Sequence, residues 1–351
     1  MTTAEGPGGA TYAGAGVDIA AGEEAVERIR AVVASTARPE VLGGIGGFGG
    51  AFAFDPARWR DPVLVSSTDG VGTKALVAAA ARRYDTIGVD LVAMCVDDVV
   101  CVGAEPLFLL DYISTGALDP EQMEELVAGV AQGCRQAGCA LLGGEMAEHP
   151  GALPAGHFDL AGFAVGVVGR AEMLGPERVR PGDVLVGLAS GGLRCNGYTL
   201  ARHVLLERAA LDLADPAWEG AAHSVADELL RPSLVYAPAV LGAAATGAVR
   251  AAAHVTGGGI PGNLVRALPP GCRAEVDRSS WSEPRVFGEI RRLGDVAAGE
   301  MARVFNLGIG MVLVVAPAAV AEVLEVVAGT GHHGAVIGAV AEGDGGVRLS
   351  G

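Results

Sequence analysis

Val63–Lys74 reads VLVSSTDGVGTK: an apolar run, a carboxylate, two spaced glycines and a lysine. Lys74 is the chain's single lysine, and every other residue among its 25 Lys and Arg is arginine. An ammonium is a compact point charge, whereas guanidinium is a planar fork, so the two are not interchangeable beside a phosphate. The pattern predicts a strand that ends near Asp69, a turn through Gly70 and Gly72, and an Ala-rich helix opened by Thr73 and Lys74. Backbone N–H groups at such a strand-to-helix turn favour anions. We therefore expect a nucleotide-phosphate and metal site here, within an α/β fold.

At 351 residues the chain is long enough for two domains, and 50% hydrophobic content supports substantial cores. The 54 glycines follow no three-residue period and imply turns rather than a collagen-like fibre. A formal net charge of −16 gives no basic stripe for a phosphate backbone, so nucleic-acid binding is not expected. Six cysteines in apolar settings, without C-x-x-C spacing, read as reduced core thiols of a cytoplasmic protein. No apolar run reaches membrane-spanning length and the first residues carry no signal-like core, so a soluble intracellular protein is expected.

Outward from the central stretch, Glu23–Ala34 has a helical apolar stripe of Val26, Ile29, Val32 and Val33. Gly43–Gly50, GGIGGFGG, contains G-x-G-x-x-G, but neither a strand before it nor a helix after it, so a dinucleotide fold is rejected. It reads either as a loop that closes over a ligand or as a hairpin turn. Asp85–Gly103, DTIGVDLVAMCVDDVVCVG, suits a buried helix interrupted by Asp90, Asp97 and Asp98. At 100° per residue Asp97 falls within about 20° of Asp90, and Asp98 about 80° away. Carboxylates among apolar residues need a counter-charge, and a hard cation such as Mg²⁺ shared with phosphate oxygens supplies one; a solvated helix face is the other reading.

Further along, Leu107–Ile113 reads as a strand, and Asp119–Pro120 opens a helix to about Ala137 with Gln122 at a capping-box position. Cys139–Leu142 forms a short strand running into Gly143–Glu145, and Phe158–Val168 a longer one. After a linker at 170–181 the second half repeats the theme. A strand at Asp183–Ala189 leads into a loop through Asn196 and a helix from Thr199, and Ala251–Val255 leads into the glycine loop Thr256, Gly257, Gly258 and Gly259. Helices are expected near 238–245, 284–293 and 317–328, and strands at 308–315 and 336–340. Each half is expected to lay helices on one side of a sheet.

These segments together resemble the phosphoribosylformylglycinamidine cyclo-ligase (aminoimidazole ribotide synthetase) family over essentially the whole chain. The resemblance rests on AGVDIAAG (15–22), RPEVLGGIGGFGG (38–50), STDGVGTK (67–74), DTIGVDLVAMCVDD (85–98), GAEPLFLLDY (103–112), LLGGE (141–145), FDLAGFAVGVV (158–168), NGYTL (196–200) and HVTGGG (254–259). It implies a two-domain α/β (α+β) protein. The N-terminal sheet domain, 1–170, would bind ATP and pair with a second copy into a dimeric barrel, and a C-terminal α/β domain, 171–351, would pack outside. It also implies an ATP-dependent ring closure through an iminophosphate, with ADP and phosphate released. Asp69, Asp97 and Asp98 would surround Mg²⁺, with Gly70, Gly72, Thr73 and Lys74 against ATP phosphates. Gly46, Gly47 and Phe48 would belong to a closing loop, and Glu145, Asn196 and Thr256–Gly259 would line the substrate side.

Three departures fall in the substrate-side loops. Met146 stands where relatives usually carry a hydroxyl, and Arg194–Cys195 replaces the usual His–Ser before Asn196–Gly197. Arginine cannot transfer protons near neutral pH as imidazole does. A diverged paralogue using the same ATP chemistry on a related substrate, or a non-catalytic nucleotide-binding protein, thus remain alternatives. A P-loop is excluded, because Lys74 follows Thr73 rather than preceding Ser or Thr.

Overall fold

The computed structural model of the protein describes residues 10–343 and 345–351. Asp18 caps α1 (Ile19–Ala34), its carboxylate accepting from the N–H groups of Ala20 and Ala21, and Ala25, Ile29 and Val33 form the buried stripe. β1 (Val41–Leu42) and β2 (Ala51–Phe52) pair antiparallel, so the glycine segment connects a hairpin. Phe48 projects from it fully exposed.

Four strands then build the first sheet: β3 (Pro62–Gly70), β4 (Glu105–Thr115), β5 (Ala140–Glu148) and β6 (Phe158–Gly169). Their order is β3–β6–β4–β5, antiparallel except for the parallel β4–β5 pair. Side chains alternate across the pleat. One face lies under α3 (Ile87–Cys101), α4 (Pro120–Ala137) and α1, while Leu64, Tyr112 and Phe163 stand exposed on the other. α2 (Lys74–Ala81) follows the β3 turn as expected. β5 is longer than its sequence suggested. Pairing with β4 carries it through Gly143–Gly144 to Glu148, so Glu145 lies within a strand. Asp119 alone caps α4, accepting from Glu121 N–H, because Gln122 is buried rather than turned back to the cap.

The second half contains β7 (Val184–Ala189), β8 (Val249–His254), β9 (Cys272–Asp277), β10 (Ile309–Val315), β11 (Gly334–Glu342) and β12 (Val347–Ser350), in the order β12–β9–β11–β7–β10–β8. β9 and β12 escaped the periodicity reading because both are short and partly polar. The helices Ala237–Ala245 and Val320–Gly329 pack together over one face. The short helix Gly259–Leu264 joins a smaller core on the other, through Ile260 and Leu264.

α3 holds the halves together. It is buried along nearly its whole length, touching β3 and β6 on one side and β8 and the Ala237–Ala245 helix on the other. The apolar cluster around it runs without a break from Ala25 to Val327. α3 meets α4 at van der Waals distance through Gly88, where a Cβ would lie 2.1 Å from Val130 N. Gly88→Ala should therefore cost about 1–3 kcal/mol through overpacking. Exposed Gly288, mid-helix with nothing within 4 Å of a new Cβ, should gain up to about 1 kcal/mol on becoming Ala. Chemical denaturation of both variants checks this, and equal effects would contradict the close helix contact.

Candidate functional site

The three α3 aspartates have different environments. Asp90 and Asp97 are fully buried, and Asp98 is half exposed. Asp90 meets Lys74 at 2.5 Å, an ion contact inside a closed environment where neither side chain is exposed. Lys74 Nζ also donates to the carbonyls of Arg194 at 3.2 Å and Arg231 at 2.8 Å, and Asp90 Oδ1 accepts from Ser233 N–H at 2.9 Å and its hydroxyl at 2.5 Å. About two turns further on, Asp97 accepts from Arg194 Nη2 and from Tyr236 N–H, both at 2.8 Å. The Arg194 guanidinium lies over the Tyr236 ring at 4.6 Å and donates to Leu234 O at 3.0 Å.

Two expectations are corrected by these contacts. Lys74 does not face an open phosphate site; its ammonium is enclosed by Asp90 and two carbonyls of the second half. Asp97 is not available to a metal, because it is fully buried and already has Arg194 as its counter-charge and Tyr236 N–H as a donor. Arg194 is thereby a buried counter-charge. Its backbone sits at φ +64° to make that turn.

Asp98 faces the cleft between the halves. His254 Nδ1 lies 2.9 Å from its Oδ1, and Ser67 Oγ donates to Oδ2 at 3.3 Å. His254 Nε2 is 3.1 Å from Arg194 Nη2. Guanidinium can only donate, which assigns the acceptor role to Nε2 and the proton to Nδ1, pointing at Asp98. Burial works to raise the Asp98 pKa, but the hydrogen bonds from His254 and Ser67 and the charge of Arg266 prevail and hold it below the usual range. Burial raises Asp69 instead, opposed by the Gly70 N–H and reinforced by the charge of Asp98. Thr73 Oγ1 meets Thr199 Oγ1 at 3.0 Å, and Asn196 lies beside Gly257. Asn263 Nδ2 donates to the carbonyls of Thr256, Gly257 and Gly259 and braces that loop. The structure thus gathers Asp69, Thr73, Asp98, Asn196 and the Thr256–Gly259 loop around the junction of the halves, and adds His254, which the sequence reading passed over beside that loop.

Glu145, Gly46 and Gly47 lie elsewhere. They line a cavity of about 660 Å³ between α1, the glycine hairpin and the β4–β5 edge, with Phe48 flanking the adjoining space. Asp111 lies at its floor, with Oδ2 shut off from solvent and without a hydrogen-bond partner. Burial pushes its pKa up to about 7, opposed only by its own backbone N–H. Gly144 is required beside it, since a Cβ there would lie 2.7 Å from the Asp111 carbonyl oxygen and against its carboxylate. Asp111 was legible as the lone acid of an apolar strand, LLDY, but was not singled out.

The register explains why there are two locations. Asp69, Gly162, Asp111 and Gly144 form one row across the sheet. Row neighbours share a face, and strands lie about 4.8 Å apart, so Asp69 and Asp111 are about 10 Å apart. α3 covers the bare Gly162 between them, with Leu91 and Cys95 at 3.1–3.2 Å from its Cβ position. Asp69 is left facing the cleft and Asp111 the cavity. Among the described residues no group of three or more His, Cys, Asp or Glu side chains could hold a metal by itself. A divalent ion here would need ligand oxygens to complete its shell, as Mg²⁺ does with phosphates.

Asp97→Ala strands the Arg194 guanidinium and should lower stability by about 3–5 kcal/mol, whereas Asp98→Ala, at a half-exposed position, should cost about 1 kcal/mol or less. Urea denaturation compares them. Equal losses would show that Asp97 and Arg194 are not a buried pair.

A family profile described as "AIR synthase related protein, N-terminal domain" matches residues 54–168, and its C-terminal counterpart matches 180–350. The chain is 52% identical over 337 residues to a phosphoribosylformylglycinamidine cyclo-ligase of Myxococcus xanthus, covering 96% of this chain and 97% of the relative. It is 55% identical over 307 residues to that of Anaeromyxobacter dehalogenans, covering 88% of each. Among solved structures, thiamine-monophosphate kinase from Stenotrophomonas maltophilia superposes with a TM-score of 0.66 at 22% identity, covering 93% of this chain and 96% of the other. The hydrogenase maturation protein HypE in complex with ATP gives 0.61 at 17% identity, over 90% and 86%. At these identities the two structures speak for the fold.

Proposed function

Since the chain belongs to the phosphoribosylformylglycinamidine cyclo-ligase family, we propose that it closes the imidazole ring of formylglycinamidine ribotide to give aminoimidazole ribotide, with ATP as the driving reactant. It is a ligase of purine biosynthesis that forms a C–N bond. No helix among the described residues is long and apolar enough to cross a membrane, and a cytoplasmic location suits the pathway.

We place ATP in the glycine-hairpin cavity, and Asp111 carries that assignment. A buried carboxylate oxygen without a partner is costly unless a ligand or cation meets it. Asp111 fits Mg²⁺ held jointly with triphosphate oxygens, and the ion would neutralise phosphate charge when bound. Gly46, Gly47 and Phe48 cover the cavity. The ribotide takes the cleft, where Asp69, Gly70, Gly72 and Thr73 form one wall, and Asn196 with Thr256, Gly257, Gly258 and Gly259 the other. The γ-phosphoryl group of ATP, reaching from the cavity past the Gly162 row to the cleft, would pass to the formyl-derived amide oxygen as ADP leaves; that carbon becomes electrophilic, the amidine nitrogen attacks it, and phosphate departs. Such chemistry depends on positioning and charge stabilisation rather than on a covalent nucleophile. Asp98, oriented by His254 and Ser67, is placed to accept hydrogen bonds from the amidine. Lys74 and Asp97 act behind the walls by fixing their spacing.

The division into 1–170 and 171–351 follows the same reading, with the first unit also serving dimerisation. Leu64, Tyr112 and Phe163 on the outer sheet face are exposed in the single chain, which supports a homodimer formed by that face, as the barrel of this family would require.

Two measurements test the reading. Incubation with ATP and formylglycinamidine ribotide should yield ADP and aminoimidazole ribotide in equal amounts; ADP without the imidazole would overturn it. Asp111→Asn should weaken Mg²⁺–ATP binding by roughly tenfold or more, about 1.4 kcal/mol, in calorimetry. Unchanged affinity would remove ATP from the cavity.

A further inference from the structure

The cleft continues past Asp98 into a recess of about 340 Å³, closed on one side by Ser67 and Asp98 and on the other by His254, Asn263 and Arg266. Four of these five side chains are already engaged. Asp98 is held by His254 and Ser67, and Asn263 is occupied with the Thr256–Gly259 loop. Arg266 is different. It is exposed, lines the recess, and no described residue holds its guanidinium by hydrogen bond or ion pair. Its charge reaches Asp98 and helps to hold that carboxylate ionised, yet Asp98 has nearer partners and does not need it.

The backbone under Arg266 is fixed. It sits in the single turn Val265–Ala267 that extends the Gly259–Leu264 helix, and Leu264 and Ala267 on either side are buried in the second core. The recess therefore presents one cation on a rigid mount and one carboxylate opposite. On a chain of net charge −16, a dianion entering the cleft meets general repulsion unless a local cation receives it. Arginine is the side chain whose donor fork matches phosphate oxygens.

We propose that Arg266 is a specificity-determining residue that binds the 5′-phosphate monoester of the ribotide, with Asp98 at the amidine pole of the same recess. This rests on the cyclo-ligase reading for the identity of the substrate, but phosphate recognition by Arg266 can be measured separately. Without ATP, ribose 5-phosphate titrated into the full chain should bind at least tenfold more tightly than ribose. Arg266→Met should abolish that preference, and Arg266→Lys should restore part of it. In turnover, Arg266→Met should raise the KM for formylglycinamidine ribotide by roughly 10- to 100-fold, with the KM for ATP within about twofold of the parent. Arg266 is exposed, so thermal midpoints should stay at the parent value, and that measurement accompanies the titration. Equal binding of ribose 5-phosphate by the parent chain and a folded Arg266→Met variant would overturn the proposal. If the parent chain binds ribose 5-phosphate through Arg266 but forms no aminoimidazole ribotide, the cyclo-ligase reading fails while phosphate recognition stands.

Discussion

The contact between Lys74 and Asp90 sets the geometry on which the rest depends. Both side chains are completely buried, and neither charge could stay there alone, since an isolated buried ion is far more costly than a paired one. The ammonium also ties two carbonyls of the second half to the turn that follows Asp69. Asp97 and Arg194 repeat the device farther along α3. The helix thus carries two buried ionic joints on one stripe: Asp97 pairs with Arg194 of the second half, and the Lys74–Asp90 pair binds that half through the carbonyls of Arg194 and Arg231 and through Ser233. Replacing such pairs with apolar side chains can be neutral for stability; what the pairs add is a single spacing and register between the cleft walls.

α3 also divides the chemistry. A row of the first sheet offers two carboxylates, Asp69 and Asp111, with Gly162 between them, and the helix lies on that glycine. The result is an acidic cleft beside the second half and a separate cavity under the glycine hairpin. The sheet lends each location one acid, and separate loops complete each one: Thr256–Gly259 for the cleft, Gly43–Gly50 for the cavity.

Much of this was legible in the sequence. The strand–turn–helix of Val63–Lys74, the aspartate-bearing helix and most of the strands follow from apolar periodicity, and the lone lysine marked a position where guanidinium would not serve. Partners were not legible. Asp90 and Asp97 share a helix stripe whether they face a cation, an arginine or water, and only the second half of the chain decides among them. Residues 194–236 supply that choice, through Arg194, Arg231, Ser233 and Tyr236, and no local pattern announces it. His254 and Asp111 were visible as single polar residues ending or interrupting apolar strands, a weak signal until the sheet register places them. The replacement at Arg194 suggested a changed reaction; in the fold the guanidinium turns inward to Asp97, so the change is absorbed by the joint rather than presented to the cleft.

The central claim is that Lys74 joins the halves and does not bind ATP phosphates. It is tested most directly by the ATP affinity of a Lys74→Met/Asp90→Leu double variant, in which the buried pair becomes apolar and no lone charge remains. The joint predicts a folded protein whose Kd for Mg²⁺–ATP stays within about threefold of the parent, less than 1 kcal/mol. A folded double variant that loses ATP affinity by about a hundredfold would contradict it and return the ammonium to the phosphates.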